Sequence, residues 1–156
     1  MPNNINIVQL CSNCSKKSRF VKHHITALLS NGMVLMFGFQ RTESLNIISS
    51  TIPLLLTQNS NIDSIYAGQE YILLLMKNND LYEINLNKQL LSPVFVMDNI
   101  KMLTSGTKHV VIYCNNGNIY GYKSNSDNQL CKLKTRYFDV PKLLKIGLIV
   151  EQSKKN

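Results

Sequence analysis

An internal repeat constrains this chain of 156 residues more than any other feature of its sequence. The clearest copy runs from residue 100 to 131, a second begins at Ile62, and a third begins at Ile7 and resumes at His23 after an insertion. In each copy a ring-bearing residue lies eight positions before the second residue of a turn pair: His24 before Gly32, Tyr71 before Asn79, and His109 before Gly117. The whole fold must therefore be built by repeating one small unit.

Each copy has the pattern of short β-strands. Residues 109–114 and 118–122 are rich in β-branched and aromatic side chains, and they flank the pair Asn116-Gly117. Asn-Gly between two such runs predicts a β-hairpin, because a type I′ turn needs positive φ at both central residues. The second copy has Asn79 in place of the glycine, and asparagine tolerates the left-handed region at some cost.

Glycine and proline mark the ends of further strands. Gly68 and Gly106 follow the first strand of their copies, where glycine allows a tight bend or a close backbone approach. Pro53, Pro93 and Pro141 each head an apolar stretch, and we expect the stretches at 53–56 and 93–96 to be edge strands, because proline lacks an N–H group.

We therefore predict an all-β fold, a partial or open β-propeller of about three four-stranded antiparallel blades. The spacings of 47 and 38 residues between anchors are typical of propeller blades. The expected blades are 7–57, 58–99 and 100–144, and 145–156 would be the start of a further strand with a basic tail. The residues expected to hold the repeat together are His24, Gly32, Gly68, Tyr71, Gly106, His109 and Gly117.

Residues 103–109, LTSGTKH, resemble the signature of the regulator-of-chromosome-condensation repeat, in which small residues and a glycine precede a histidine at fixed spacing. The similarity continues through 116–122, where the family has Tyr-x-Trp-Gly, and through 125–130, NSDNQL, where it has Asn-x-x-Gly-Gln-Leu-Gly. Tryptophan is absent, and Lys123 and Asn128 stand where the family usually has glycine. These departures suggest a drifted relative that has not kept every turn.

The resemblance covers residues 7–144 and implies a non-enzymatic scaffold for protein partners. Some members of that family bind chromatin or promote nucleotide exchange on a Ran-type GTPase, and both remain alternatives here. A closed propeller of the family has seven blades, and propellers generally need at least four. Three copies cannot close a ring, so we expect a homo-oligomer that completes the propeller, a partner over the ends, or terminal caps. The chain could also be a fragment of a longer protein.

Charge supplies the candidate partner-binding residues. Residues 1–22 carry Lys16, Lys17, Arg19 and Lys22 and no acid, whereas residues 101–156 carry ten basic and three acidic groups. Insertions in repeat proteins gather on one face, often the binding face, so the basic loop could contact phosphates or acidic side chains. It could equally be a tolerated surface loop.

The sequence contains one pattern that invites a metal, Cys11-x-x-Cys14 with His23-His24. The two histidines are adjacent, so in a strand they point to opposite faces, and we expect no metal site and a buried Cys11. Because His24 and His109 occupy the same repeat position, we expect structural roles for both. Phosphate loops and nucleophile elbows are absent, and the nine carboxylates are scattered, with Asp80 and Glu83 expected to face solvent. We expect no enzyme activity and no cofactor.

The sequence also limits where the chain is expected to act. It has no apolar run of the ~18 residues that would span a bilayer. It also lacks a basic segment followed by an apolar stretch at its N-terminus, so we expect an intracellular protein without a membrane partner. The 19 asparagines, with many Ile and Lys, suggest an AT-rich genome.

Overall fold

The computed structural model describes residues 4–13, 24–38, 52–88, 90–130 and 135–144. They form twelve strands: β1 Ile7–Ser12, β2 Ile25–Leu29, β3 Met33–Phe37, β4 Leu54–Gln58, β5 Ile62–Ala67, β6 Tyr71–Met76, β7 Leu81–Asn85, β8 Val94–Met97, β9 Ile100–Ser105, β10 His109–Cys114, β11 Ile119–Ser124 and β12 Tyr137–Leu143. They make three antiparallel sheets, β1–β4, β5–β8 and β9–β12, in which each strand pairs with its neighbours in the chain. The predicted fold class is confirmed. None of the described residues forms a helix long and apolar enough to cross a membrane.

The hydrophobic core lies between the sheets. One cluster joins the first sheet to the second, and another joins the second to the third. Strand β6 belongs to both, because Ile72 and Leu74 pack towards the first sheet while Leu73 and Leu75 pack towards the third. A strand covered on both faces is continuously apolar, as the run YILLLM shows. Burying each such side chain stabilises the fold by about 1.5–3 kcal/mol.

The first strands of the three sheets lie next to one another, with β1 against β5 and β5 against β9. Gln9 of β1 fixes the first of these contacts through both ends of its amide. Its Nε2 donates to the carbonyl oxygen of Ile65 at 2.8 Å, and its Oε1 accepts from the N–H of Ile65 at 2.8 Å. The last strands β8 and β12 meet on the other side of the stack. The sheets therefore stack face to face in chain order, like blades of an incomplete propeller.

The hairpin turns of the three sheets share one geometry. Gly32, Asn79 and Gly117 all have positive φ, at 79°, 68° and 85°. In each turn the side-chain oxygen of the preceding asparagine accepts the backbone N–H two residues on, at 3.1 Å from Asn31, 3.2 Å from Asn78 and 3.0 Å from Asn116. The prediction that asparagine would take the left-handed position in the second copy is confirmed. The predicted type I′ turn is wrong, because only the second residue of each pair has positive φ, and its N–H closes the turn on the carbonyl oxygen three residues before it.

In each sheet, the side-chain ring of a histidine or tyrosine lies at the connection between the first and second strands. The Gly106 N–H donates to the carbonyl oxygen of His109 at 2.8 Å, and a Cβ added at Gly106 would lie 2.6 Å from Cε1 of the His109 ring. Gly68 has the same relation to Tyr71. In the first sheet Asn13 takes the place of the glycine, and its Oδ1 accepts the His24 N–H at 2.8 Å.

The loop after β11 keeps its geometry without the family's glycine. Asn128 has a φ of 56°, and Asn125 closes the loop by accepting the Leu130 N–H at 2.8 Å. Leu130 is buried beneath it, beside Phe138 and Leu144. The expectation that this turn had been lost is wrong, because asparagine can occupy the left-handed region that the loop needs.

The turns at Gly32 and Gly117 offer a matched pair of substitutions. A Cβ at Gly32 would lie 2.6 Å from the backbone nitrogen of Ser60, whereas no described atom lies within 4 Å of one at Gly117. Gly117→Ala should lower the free energy of unfolding by about 1–2 kcal/mol, the cost of a left-handed conformation. Gly32→Ala should lower it further, because the backbone must also move. Urea unfolding of the two variants measures the difference, and equal losses would contradict this account of the Gly32 turn.

Candidate partner-binding groove between the second and third sheets

Two adjoining clefts, of about 380 and 720 Å³, lie between the second and third sheets. Together they form what we call the inter-sheet groove, and both are lined by Asn85, Lys123 and Tyr137. The smaller cleft is bordered by the connections β5–β6 and β9–β10. The larger is bordered by β8 and β12, the last strands of their sheets.

A buried ion pair forms the floor of the groove. Lys123 Nζ lies 2.6 Å from Glu83 Oε1, and both side chains are only 7% exposed. The Tyr122 hydroxyl donates to the other oxygen of Glu83. The expectation that Glu83 faces solvent is wrong, because the face of β7 that carries it is covered by the third sheet.

Lys123 reaches this position through an unusual backbone conformation. Its φ is 73°, which costs a side chain with a Cβ about 1–2 kcal/mol. Its ammonium group lies 4.6 Å from the ring centroid of Tyr122 and 5.5 Å from that of Tyr71. The ion pair and two aromatic faces thus hold the cation across the boundary between the sheets.

Tyr71 ties the same boundary at the mouth of the smaller cleft. Its hydroxyl donates to the carbonyl oxygen of Gly106 at 3.0 Å and lies 3.1 Å from Ser105 Oγ. Burial raises the pKa of Tyr71 to about 12, against the lowering effect of the Ser105 hydrogen bond. The pKa of Tyr122 is also raised, first by burial and then by its hydrogen bond to Glu83.

The walls of the larger cleft are apolar and partly open to solvent. Val94, Phe95, Tyr137 and Val140 all have exposed side chains. Val94 pairs with Glu83 and faces the cleft, whereas Phe95 pairs with Tyr82 on the other face of β8, with ring centroids 5.6 Å apart. Large exposed aromatic side chains in a concave surface are typical of sites that bind another molecule.

The charged side chains around the groove are of both signs. Lys108 and Arg136 lie beside Glu70 at the smaller cleft, and Lys88 lies with Asp139 at the larger one. Glu70 also accepts a hydrogen bond from Asn87 Nδ2 at 2.9 Å. Such a mixed lining does not favour a polyanion over other ligands.

Comparison with known proteins bears on the fold. No family model and no curated protein matches the sequence. Among solved structures, human WBSCR16 superposes with a TM-score of 0.70 at 14% identity, over 95% of this chain and 42% of that one. Yeast RCC1 (Prp20) bound to Kap60 gives 0.59 at 20% identity, over 90% and 37%. Prp20p of Saccharomyces cerevisiae, crystallised separately and described as binding Gsp1p and histones, gives 0.61 at 20% identity, over 90% and 39%.

This fold is that of a partial RCC1-type propeller. The chain spans about two fifths of the length of the matched proteins. The resemblance read from residues 103–130 is therefore confirmed at the level of the fold, and each sheet is one blade.

The residues predicted to hold the repeat together lie at the two opposite ends of the blade strands. Gly68, Tyr71, Gly106 and His109 lie at the end that carries the smaller cleft, with His24 at the equivalent place in the first blade. The turns of Gly32 and Gly117 lie at the opposite end. The candidate binding residues Lys16, Lys17, Arg19 and Lys22 lie outside the described residues, as do Cys14, His23 and residues 145–156.

Sequence reasoning missed Glu83, Lys123, Phe95 and Tyr137. The sequence held a signal for the functional importance of Glu83 and Lys123. Lys123 stands where the family usually has glycine, and Glu83 lies in a strand of the middle sheet. Cys11 was expected to be buried and is only half-buried; burial raises its thiol pKa to about 11, so it is protonated at neutral pH and a poor nucleophile. Within the described ranges no group of three His, Cys, Asp or Glu side chains is placed to hold a metal ion.

The Glu83–Lys123 pair predicts strong coupling between two blades. Lys123→Gly removes the strained conformation but leaves Glu83 buried without its cation, and we expect the free energy of unfolding to fall by about 3–5 kcal/mol. The boundary between the first and second blades shows an uncharged solution, with Met36 and Asn85 at the equivalent positions. Adding Glu83→Met to Lys123→Gly should therefore recover most of the loss in urea unfolding. A double variant as unstable as the sum of the two single changes would contradict the coupling.

The raised tyrosine pKa values predict a loss of stability in alkali. Tyr71 has an ordinary pKa of 10.0 in the unfolded chain and about 12 in the folded one. The folded state therefore holds this proton more tightly, so the contribution is complete below pH 10 and is lost as the pH rises towards 12. Absorbance at 295 nm should show late ionisation of Tyr71, Tyr122 and Tyr137, and Tyr71→Phe should remove one late step. Seven tyrosines that all titrate together near their ordinary pKa would refute this.

Proposed function

We propose that this chain is a non-enzymatic protein-binding module that holds an extended segment of a partner in the inter-sheet groove. The observation that carries the proposal is the edge strand β8, which borders the larger cleft with Val94 facing the cleft and the exposed ring of Phe95 on its other face. An edge strand has unpaired N–H and C=O groups along one side, and an extended peptide can add to it as a further strand.

The two walls of the larger cleft, β8 and β12, differ in how well they can pair with an added strand. Strand β12 contains Pro141, which has no N–H to donate, so this side is a poorer template. Strand β8 has its proline at position 93, before the strand begins, and carries no charged residue between Val94 and Met97. We therefore assign the pairing edge to β8 and the opposing contact surface to Tyr137 and Val140.

Phe95 is the side chain best placed to anchor a partner. It is held by Tyr82 from behind and is about half exposed, so a bound segment can cover the rest of its ring without reorganising it. Covering the exposed half of such a side chain contributes about 1 kcal/mol. Several contacts of this size, together with strand hydrogen bonds, account for a modest and reversible affinity.

The buried polar groups of the groove favour binding over catalysis. Glu83 is engaged by both Lys123 and Tyr122, and the raised pKa values of Tyr71 and Tyr122 keep these hydroxyls protonated at neutral pH. None of these groups is available as a general base. Protein binding also agrees with the similar fold of yeast RCC1, which was solved in a complex with the protein Kap60.

Selection from a random peptide display library tests the proposal, with selected peptides measured by fluorescence anisotropy. Phe95→Asp should weaken peptide binding at least about tenfold, equivalent to 1.4 kcal/mol. Leu55→Asp is a matched control, because Leu55 is 50% exposed and Phe95 51%, and Leu55 lies on the edge strand of the first blade. The control should bind as the wild type does. Failure to select any peptide, or equal binding by the Phe95 variant, would overturn the proposal.

A second candidate is nucleic-acid or chromatin binding through Lys16, Lys17, Arg19 and Lys22. The segment 14–23 joins β1 to β2, the connection that in the other blades is formed by Gln69-Glu70 and Thr107-Lys108 at the smaller cleft. If this candidate is right, affinity for duplex DNA should fall steeply with salt, and replacing Lys16, Lys17 and Arg19 by Ser should flatten that dependence. A salt-independent or undetectable interaction would exclude it.

A further inference from the structure

The outward face of the first blade is apolar across all four strands. Paired residues share a face, and one row runs from Leu10 through Ala27 and Leu35 to Leu55. A neighbouring row pairs Ile25 with Phe37. We call this surface the first-blade face and define it by Ile7, Leu10, Ile25, Phe37 and Leu55, whose side chains are 38–60% exposed.

The same repeat positions are buried in the second blade. The residues equivalent to Ile7, Leu10, Ile25 and Phe37 are Ile62, Ile65, Ile72 and Ile84. These four isoleucines are only 0–5% exposed, because they pack against the first blade. The first-blade face therefore has the side chains of a surface that covers a preceding blade, but among the described residues no blade precedes it.

The opposite end of the stack carries the complementary surface. We call it the third-blade face and define it by Met102, Val111, Tyr113 and Ile119, which share one side of their sheet. Their equivalents on β6 and β7 are Leu73, Leu75 and Leu81, all buried against the following blade. On the third blade, Met102 is exposed and the other three are partly exposed.

We propose that the first-blade face packs on the third-blade face of a second copy of this chain, head to tail. This contact repeats one that the chain already makes twice, between its first and second blades and between its second and third. Each face spans roughly 300 Å², from four strands of about five residues at 4.8 Å spacing, which is the size of the largest apolar patch on an ordinary monomer. The argument for the contact is therefore the match between repeat positions and not the area. Joining unlike surfaces gives a heterologous assembly, which forms a closed ring if the rotation between copies closes.

The net charge of the chain predicts how this contact should respond to salt. Both faces are mostly apolar, whereas each chain carries a net charge of +8. On the third-blade face Lys101 Nζ lies 5.5 Å from the Tyr113 ring, and Val111 and Ile119 also pack against Leu130, Phe138 and Leu144 of their own blade. Association therefore works against repulsion between copies, and added salt should strengthen it by screening.

The proposal does not depend on the inter-sheet groove, because neither face includes a residue that lines the groove.

Light scattering on purified protein tests the assembly, starting from a monomer mass of 17.7 kDa. The wild type should exceed this mass in a concentration-dependent way, and more so at higher salt. Leu55→Asp and Met102→Asp should each remain monomeric at every concentration, because each loses one of the two faces. Both side chains are exposed, so both variants should keep the wild-type circular dichroism spectrum and melting temperature.

Mixing the two variants is the decisive experiment. The Met102→Asp chain keeps its first-blade face, and the Leu55→Asp chain keeps its third-blade face, so an equimolar mixture should form a dimer and nothing larger. Phe95→Asp, which changes only the groove, should assemble as the wild type does, so a failure of assembly is distinguishable from a failure of peptide binding. A wild type that stays monomeric at all concentrations would overturn the proposal. So would a mixture of variants that does not associate.

Discussion

The structure depends on the need to cover both faces of each four-stranded sheet. A single small sheet buries too little apolar surface to be stable, and among the described residues only the second sheet has a neighbouring sheet on each side. Strand β6, at the middle of that sheet, joins both clusters of the core and is the most completely buried strand among the described residues. The stack therefore leaves a partly uncovered face at each end, and these are the faces for which we infer a partner.

The repeat pattern was sufficient to predict the architecture. Offsets between His24, Tyr71 and His109 set the register, and the Asn-Gly pairs placed the hairpins, because these features act within one hairpin and need no knowledge of distant contacts. Even the substituted turn at Asn79 was predictable, since asparagine is the residue that best replaces glycine at positive φ.

The groove could not be predicted in the same way. Whether Glu83 faces solvent or protein depends on the sheet packed beyond its own, and the sequence of β7 alone does not reveal that neighbour. The glycine position at Lys123 was recognised, but it was interpreted as a lost turn. The structure keeps a left-handed conformation at this position, inside strand β11, and uses the added side chain to reach across the boundary between blades. The basic residues of the loop before His24 were identified from charge alone, and their part in binding stays a prediction.

The ion pair of Glu83 and Lys123 also restricts how this chain can change through evolution. A glycine at position 123 leaves a buried carboxylate without its cation, and an apolar residue at position 83 leaves a buried ammonium group beside two aromatic rings. Either first step passes through a strongly destabilised protein, although both end points can be stable. Once the pair was established, each position became conditional on the other. Relatives descended from this chain should then retain the two residues together or exchange them together, even where the rest of the blade surface has diverged.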